Sequence, residues 1–451
     1  MTYEEAKALI LGDAGEVHLE LDRLKNLLAG LGNPEADGRY IHIAGTNGKG
    51  SIAAYLAGTL TEAGFRVGCY TSPVVYEYGE QYRINGEMIT REAYTRLAAR
   101  IGEAMERMRE AHLAMPSPFE RETALGLLWY KEQACDWVIL ECGMGGRTDA
   151  TNVIPAPRLA VFASISMDHM DYLGRTVGEI AWVKAGIIKP GCVAVTALQD
   201  PRVMEVLQKE CENAGVPLRV GTPGDAELVS AAFGGVQIRY KGQLLQSPLA
   251  GVCQVENMVT AYEALTVLRE QGVPLTEEMI RCGMRKASWQ GRFSAVCRKP
   301  LFIVDGAHNA RAAQILRDSV ELYFPDRRKI FIMGVFADKD YPEVISLTAP
   351  LASKIFAIAT PDNARALPAD QLAEAIRPVN PEVEACATVE EAVRRAFAEA
   401  GEEDVILFFG SLSNIGRITS LVSEMTGSEN TNGRQTGRRN QRRKTCGTDM
   451  Y

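Results

Sequence analysis

The sequence contains no C-x-x-C pair, so its ten scattered cysteines cannot supply zinc-ribbon spacing. No uninterrupted apolar run approaches the roughly 20 residues that a membrane-spanning helix needs. The start, Met1-Thr2-Tyr3-Glu4-Glu5, is acidic and opens like an amphipathic helix, unlike a signal peptide. Positive charge is also scarce. With 49 Lys and Arg against 57 Asp and Glu, the net charge of −8 gives the body no attraction to nucleic acid or an anionic membrane. Together these absences predict a cytoplasmic protein with free thiols. The 451 residues are 46% hydrophobic, enough for two or three domains that each bury a core.

Short apolar runs alternate with helical periods in the first half. Tyr40–Ala44, Val67–Tyr70, Trp137–Leu140 and Leu159–Ile165 read as strands; Ser51–Ala63, Arg91–Arg109 and Glu120–Gln133 read as helices. Such alternation predicts a parallel sheet with helices on both faces. A less regular region follows, closed by a Gln-Gly-Arg turn at 290–292. From Pro300 a second alternation begins, with strands at Leu301–Val304, Lys329–Met333, Lys354–Ala359 and Val405–Phe409 and helices at Ala310–Leu322 and Val389–Ala400. The fold class is therefore α/β: a larger domain over 1–292, a smaller Rossmann-like one over 293–427, and a tail over 428–451.

Gly45-Thr46-Asn47-Gly48-Lys49-Gly50-Ser51 lies between a predicted strand and a predicted helix. There glycines let backbone N–H groups curl around phosphate oxygens, and the helix N-terminus adds its dipole. Lys49, exposed while the loop is empty, would neutralise phosphates, and the Ser51 hydroxyl would ligate Mg²⁺. The strict G-x-x-x-x-G-K-[ST] pattern is broken, because position 43 is Ile and Gly50 separates Lys49 from Ser51.

This loop resembles that of the Mur ligase superfamily, particularly its folylpolyglutamate synthase and dihydrofolate synthase branch. An ordered series of motifs extends the resemblance over residues 20 to 420. It runs through Thr71-Ser72-Pro73, Arg83-Ile84-Asn85-Gly86, Phe119-Glu120 with Thr123-Ala124, and Glu141–Arg147 followed by Asp149-Ala150-Thr151-Asn152. Asp168-His169, Lys184-Ala185-Gly186-Ile187, Gln254-x-x-Asn257, Gly291-Arg292 and Asp305-Gly306-Ala307-His308-Asn309 complete it.

The resemblance implies an ATP-dependent ligase that adds L-glutamate to dihydropteroate or tetrahydrofolate through an acyl phosphate. It makes Lys49, His169 and Lys184 the catalytic residues. ATP contacts fall to Asn47, Gly48, Lys49, Gly50, Ser51, Asn257, Arg292, Asp305, Gly306, Ala307 and His308. Two Mg²⁺ ions are implied at Ser51, Ser72, Glu141, His169 and Lys184, the lysine as a carbamate, since a cationic amine does not ligate a metal. Phe119, Glu120, Thr148, Asp149 and Ala150 match the pterin-site segments. Taken singly, Lys184 reads as a helix-end lysine, Asn257 as a helix-surface amide, and Phe119 equally as core packing.

Four departures from the family pattern mark this chain. Glu20 replaces Gly in Leu19-Glu20-Leu21-Asp22-Arg23, Val74 stands for a His, Gln81 for an Arg and Val183 for a Glu. Only 44 residues precede Gly45, too few for the UDP-sugar domain of cell-wall Mur ligases, so folate is the expected substrate class. A nucleotide-binding regulator is the reading from another class, and ADP release that needs both substrates separates enzyme from binder. No motif specifies an interface, so a monomer is expected.

Residues 428–451 carry Arg434, Arg438, Arg439, Arg442, Arg443 and Lys444 against Glu429 and Asp449, with almost nothing apolar. Such a segment cannot bury enough surface to offset its ordering entropy. It reads as a disordered tail, with a nucleic-acid arm as the competing reading. Deleting 428–451 is expected to leave specific activity and melting temperature unchanged. A large loss of either would mean that the segment docks on the body or on the substrate.

Overall fold

The computed structural model describes residues 1–12, 20–361 and 363–427; the basic segment 428–451 and Leu19 lie outside them. Among the described residues eight strands form the first sheet. They are β1 (Tyr40–Ala44), β2 (Val67–Tyr70), β3 (Tyr82–Ile84), β4 (Glu87–Met88), β5 (Trp137–Glu141), β6 (Leu159–Phe162), β7 (Val193–Ala197) and β8 (Leu218–Gly221). Their order is β4-β3-β2-β5-β1-β6-β7-β8, parallel except for the β2–β3–β4 edge.

β1 shows why these runs become central strands. All its residues are buried. Ile41 and Ile43 pack into the layer formed by helices Lys49–Glu62, Gln254–Glu270 and Glu277–Lys286, while Tyr40 and Ala44 serve the opposite face. A strand covered on both faces must be apolar throughout, which is the pattern the sequence carries. β1 sits between β5 and β6, so the chain leaves it in both directions. The loops after β1, β2, β5 and β6 therefore meet at one carboxyl edge, where doubly wound sheets form ligand crevices.

The stretch between 166 and 290 is far more ordered than the sequence suggested. It holds helices Val177–Ala185, Pro201–Ala214, Gln254–Glu270 and Glu277–Lys286, strands β7 and β8, and a three-stranded antiparallel sheet. That sheet consists of β9 (Glu227–Ala232), β10 (Gly235–Tyr240) and β11 (Gln243–Ser247). The signal was weak for physical reasons. Helix Gln254–Glu270 is buried on nearly every side, so it has no polar face, and β9 leaves Leu228 and Val229 exposed.

The last sheet has six strands among the described residues, ordered β12-β13-β17-β14-β15-β16. They are β12 (Ser294–Arg298), β13 (Leu301–Val304), β14 (Lys329–Met333), β15 (Lys354–Ala357), β16 (Val383–Ala385) and β17 (Val405–Phe409). Only β12, an edge strand missed in the sequence, runs antiparallel. Phe331 and Phe409 face helices Ala310–Tyr323 and Tyr341–Thr348, and Phe302 and Phe408 face Val389–Glu399 and Ile415–Thr426.

One contact fixes the helix that follows the phosphate loop. Helices Lys49–Glu62 and Glu277–Lys286 cross so closely that a Cβ on Gly283 would lie 2.3 Å from Thr59 Cα, and one on Gly58 would lie 2.7 Å from the Gly283 carbonyl. Both neighbours are backbone, so neither can swing aside. Gly283→Ala is expected to cost about 1–3 kcal/mol, read as a lower urea midpoint at unchanged m-value. An unchanged midpoint would show that the two helices separate without cost.

Candidate active site

The carboxyl edge of the first sheet faces the last sheet across a cavity of about 760 Å³. The phosphate-loop residues line it from one side; Arg292, Asp305, Gly306, Ala307 and His308 line it from the other. Asn257 also lines it and is buried, which excludes the helix-surface reading.

Gly48 caps helix Lys49–Glu62 at a φ of 95°, and a Cβ there would come within 2.3 Å of Asn257 Oδ1. Only glycine meets both demands. The free N–H groups of the first helical turn then point at the loop. Ser51 is buried and accepts from Gln254 Nε2 at 3.4 Å, while Asn47 Nδ2 is buried without a partner. Lys49 is less exposed than expected for an empty loop, its side chain only 16% accessible. Its amine donates to the Gly45 and Thr46 carbonyls and lies 3.7 Å from Glu141 Oε1. The loop carbonyls hold it inward.

Lys184 comes from the end of helix Val177–Ala185 and donates to the same Gly45 carbonyl at 2.9 Å. Burial, and then the charge of Lys49, lower its pKa to about 7. Glu141 ends β5, and burial pushes its carboxyl up against the pull of Lys49 and Arg292. Its Oε2 is buried with no partner. Such an orphan acceptor suits a hard cation. Ser72, Glu141, His169 and Lys184 all line this cavity with Ser51. Among the described residues no group of three or more His, Cys, Asp or Glu side chains converges. The protein donors are thus sparse and mixed, as fits an ion that keeps waters and takes phosphate oxygens.

After β6 the chain turns at His169, in the left-handed region with φ 50°. Burial lowers its imidazole to about 4 against the pull of Asp168, so the ring is neutral at neutral pH. Asp168 bridges the two halves. It accepts from Lys339 Nζ at 2.6 Å and Asn309 Nδ2 at 3.0 Å, and His308 Nε2 lies 3.7 Å away. Burial works against its charge, yet the nearby His308 and His169 and the Lys339 hydrogen bond hold the carboxyl well below its usual range. On the far wall, Asp305 accepts from the backbone N–H groups of Phe293 and Ala307, which shapes the turn carrying Arg292.

The pterin-site residues divide. Phe119 lines the cavity and packs on Tyr70, with ring centroids 6.2 Å apart. Glu120, Thr148, Asp149 and Ala150 do not line it. Glu120 closes a capping box with Ser117, accepting from its N–H at 2.7 Å. Asp149 accepts from Met144 N, Thr151 N and Thr151 Oγ1, folding the loop beyond Glu141. Both carboxylates are occupied by their own turns. The sequence reading missed Lys339, Trp289 and Glu122, which also line the cavity, and left Gln254 without a role. For Lys339 a signal existed, since Asp338-Lys339-Asp340 follows a strand where α/β ligand loops form.

Comparison with known proteins agrees with this geometry. Residues 43–265 match the Mur ligase middle domain and residues 291–412 the Mur ligase glutamate ligase domain. A dihydrofolate synthase/folylpolyglutamate synthase of Bacillus subtilis is 33% identical over 427 residues, covering 92% of this chain and 98% of that protein. The Mycobacterium tuberculosis folylpolyglutamate synthase complexed with ADP superposes with a TM-score of 0.84 at 28% identity, over 93% of this chain and 99% of that one. An FPGS–AMPPCP–folate complex gives 0.80 at 28% identity, over 94% of this chain and 100% of that one. The chain belongs to the dihydrofolate synthase/folylpolyglutamate synthase family of Mur ligases.

Proposed function

We propose that this protein is an ATP-dependent ligase that adds L-glutamate to dihydropteroate and to tetrahydrofolate or its polyglutamates, releasing ADP and phosphate. Relatives named for both activities, and related structures holding ADP or AMPPCP with folate, support it. The observation that carries it is the single cavity that joins a phosphate loop to an aromatic-walled recess.

A carboxylate in water does not react with an amine, so it must be activated. The γ-phosphoryl group passes from ATP to the substrate carboxylate, and ADP leaves. The glutamate amine then attacks the acyl carbon, the amide forms, and phosphate departs. Lys49 exchanges its two weak carbonyl contacts for phosphate oxygens, a charge-assisted gain. Arg292 and the Asp305–His308 segment take the nucleotide from the other half of the cavity, and Asn257 does so from beside the phosphate loop. Closure of the two halves keeps water from the acyl phosphate. Ser51, Ser72, Glu141 and His169 would hold Mg²⁺, which when bound neutralises charge on the transferring phosphoryl group.

Lys184 joins that set as a carbamate, a reading supported by its motif match and by the burial of its amine beside Gly45. The lowered pKa leaves much of the amine uncharged at neutral pH, the form that adds CO₂ and releases a proton. We assign residues 1–292 to ATP and folate binding and 293–427 to the glutamate ligase domain. One chain supplies both walls of the cavity, which supports a monomer. No disulfide links the described cysteines, which supports a cytoplasmic setting, and no described helix is long and apolar enough to cross a membrane.

Lys184→Ala is expected to cripple turnover, and short carboxylates in the buffer to restore part of it by replacing the missing anion. Full activity in the unsupplemented mutant would remove the carbamate. Purified protein with Mg²⁺, ATP, L-glutamate and either dihydropteroate or tetrahydrofolate is expected to yield ADP, phosphate and a product one glutamyl unit heavier by mass spectrometry. Failure with every pteroate and folate, beside glutamate-independent ATP hydrolysis, would defeat the folate reading.

A further inference from the structure

Glu122 is a buried acid whose position none of the phosphate chemistry explains. It lies on helix Pro118–Glu132, one turn beyond Phe119 and on the same face, and it lines the cavity. Its Oε1 accepts from Tyr78 Oη at 2.6 Å and from Gln81 Nε2 at 3.1 Å. Both lone-pair sites on that oxygen are then used, so a further donor reaching Glu122 from the cavity would have to find Oε2. The surroundings are aromatic: Tyr82 Oη donates to the Glu122 carbonyl, and Tyr70 lies between Tyr82 and Phe119 at 5.6 and 6.2 Å. The Phe119 ring lies so near Gly143 that a Cβ there would meet it at 2.5 Å, so this recess adjoins the strand end that carries Glu141.

A carboxylate in an aromatic recess suits a flat heterocycle with donors along one edge. Of the proposed substrates' parts, the pteridine ring has that form, its 2-amino and N3–H groups projecting side by side. We propose that Glu122, held by Tyr78 and Gln81, determines specificity for the pteridine by accepting from its 2-amino-pyrimidinone edge through Oε2. This rests on the folate reading above. Gln81 is part of the device. A neutral amide orients Glu122 without consuming its charge, whereas an arginine there would pair with it and leave no acceptor for the ring.

Glu122→Gln keeps the size and the acceptor for Tyr78, but turns an amide donor toward the ring. Kinetics are compared for tetrahydrofolate and for its analogue carrying methyl in place of the 2-amino group, with unfolding curves recorded for each variant. Wild-type protein is expected to prefer tetrahydrofolate by about 10- to 100-fold in kcat/KM. E122Q is expected to raise the tetrahydrofolate KM by a similar factor, lose the preference, and keep its KM for ATP. Gln81→Arg is expected to act in the same direction, and it decides the matter if E122Q does not fold. Wild-type KM in the folded variants, or an equal loss with the methyl analogue, would overturn the assignment while leaving the ligase reading intact. Wild-type turnover of neither dihydropteroate nor tetrahydrofolate would overturn both.

Discussion

Asp168 emerges from the β6 loop of the larger sheet and finds its partners in the last domain: Lys339, Asn309 and His308. The carboxylate and the Lys339 amine are both nearly dry, with side chains 8% and 10% exposed. A charge so placed is satisfied only when its partners face it, so the pair fixes how the two halves meet. That constraint holds the loops of two sheets face to face, and the cavity exists only in that arrangement. Arg292 and Asp305 would otherwise stand apart from Lys49 and Glu141. Asn309 also caps helix Ala310–Tyr323, so the contact that joins the halves is tied to the start of a helix.

Within the joined cavity, burial and neighbouring charges act on one another. Glu141 is pushed up by burial and Lys184 pushed down, and Lys49 sits 3.7 Å from the one while opposing the charge of the other. Both amines rest on the Gly45 carbonyl. The loop carbonyl thus gathers both amines at the point where phosphate oxygens would sit. Preorganised dipoles and charges of this kind need little rearrangement during reaction.

Much of this was legible in the sequence because parallel strands buried on both faces appear as short apolar runs, each followed by the loop that carries chemistry. Tyr40–Ala44 before Gly45 is the clearest case. Less legible were elements whose surroundings erase periodicity, such as the helix Gln254–Glu270, buried all round, and β9, exposed along most of its length. For two carboxylates expected at the pterin site, local rules point to a role in their own turns. Ser117-Pro118-Phe119-Glu120 has the spacing of a capping box, and Asp149 with Thr151 forms a side-chain-to-backbone turn.

The same helix shows how two acids two residues apart come to differ. Successive helical positions turn by about 100°, so Glu120 and Glu122 lie on nearly opposite sides. Glu120 reaches back to the Ser117 N–H, while Glu122 shares the Phe119 face, three residues on, and meets the cavity. Spacing alone would have separated a cap from a pocket wall. What spacing could not supply was the identity of the partner at 81, brought next to the helix by β3 and the turn before it. With glutamine there, the carboxylate keeps an acceptor for whatever lies against Phe119. Recognition at this end of the cavity thus depends on a tertiary pairing between residues 41 positions apart, even though the capping and phosphate-loop rules on either side are local.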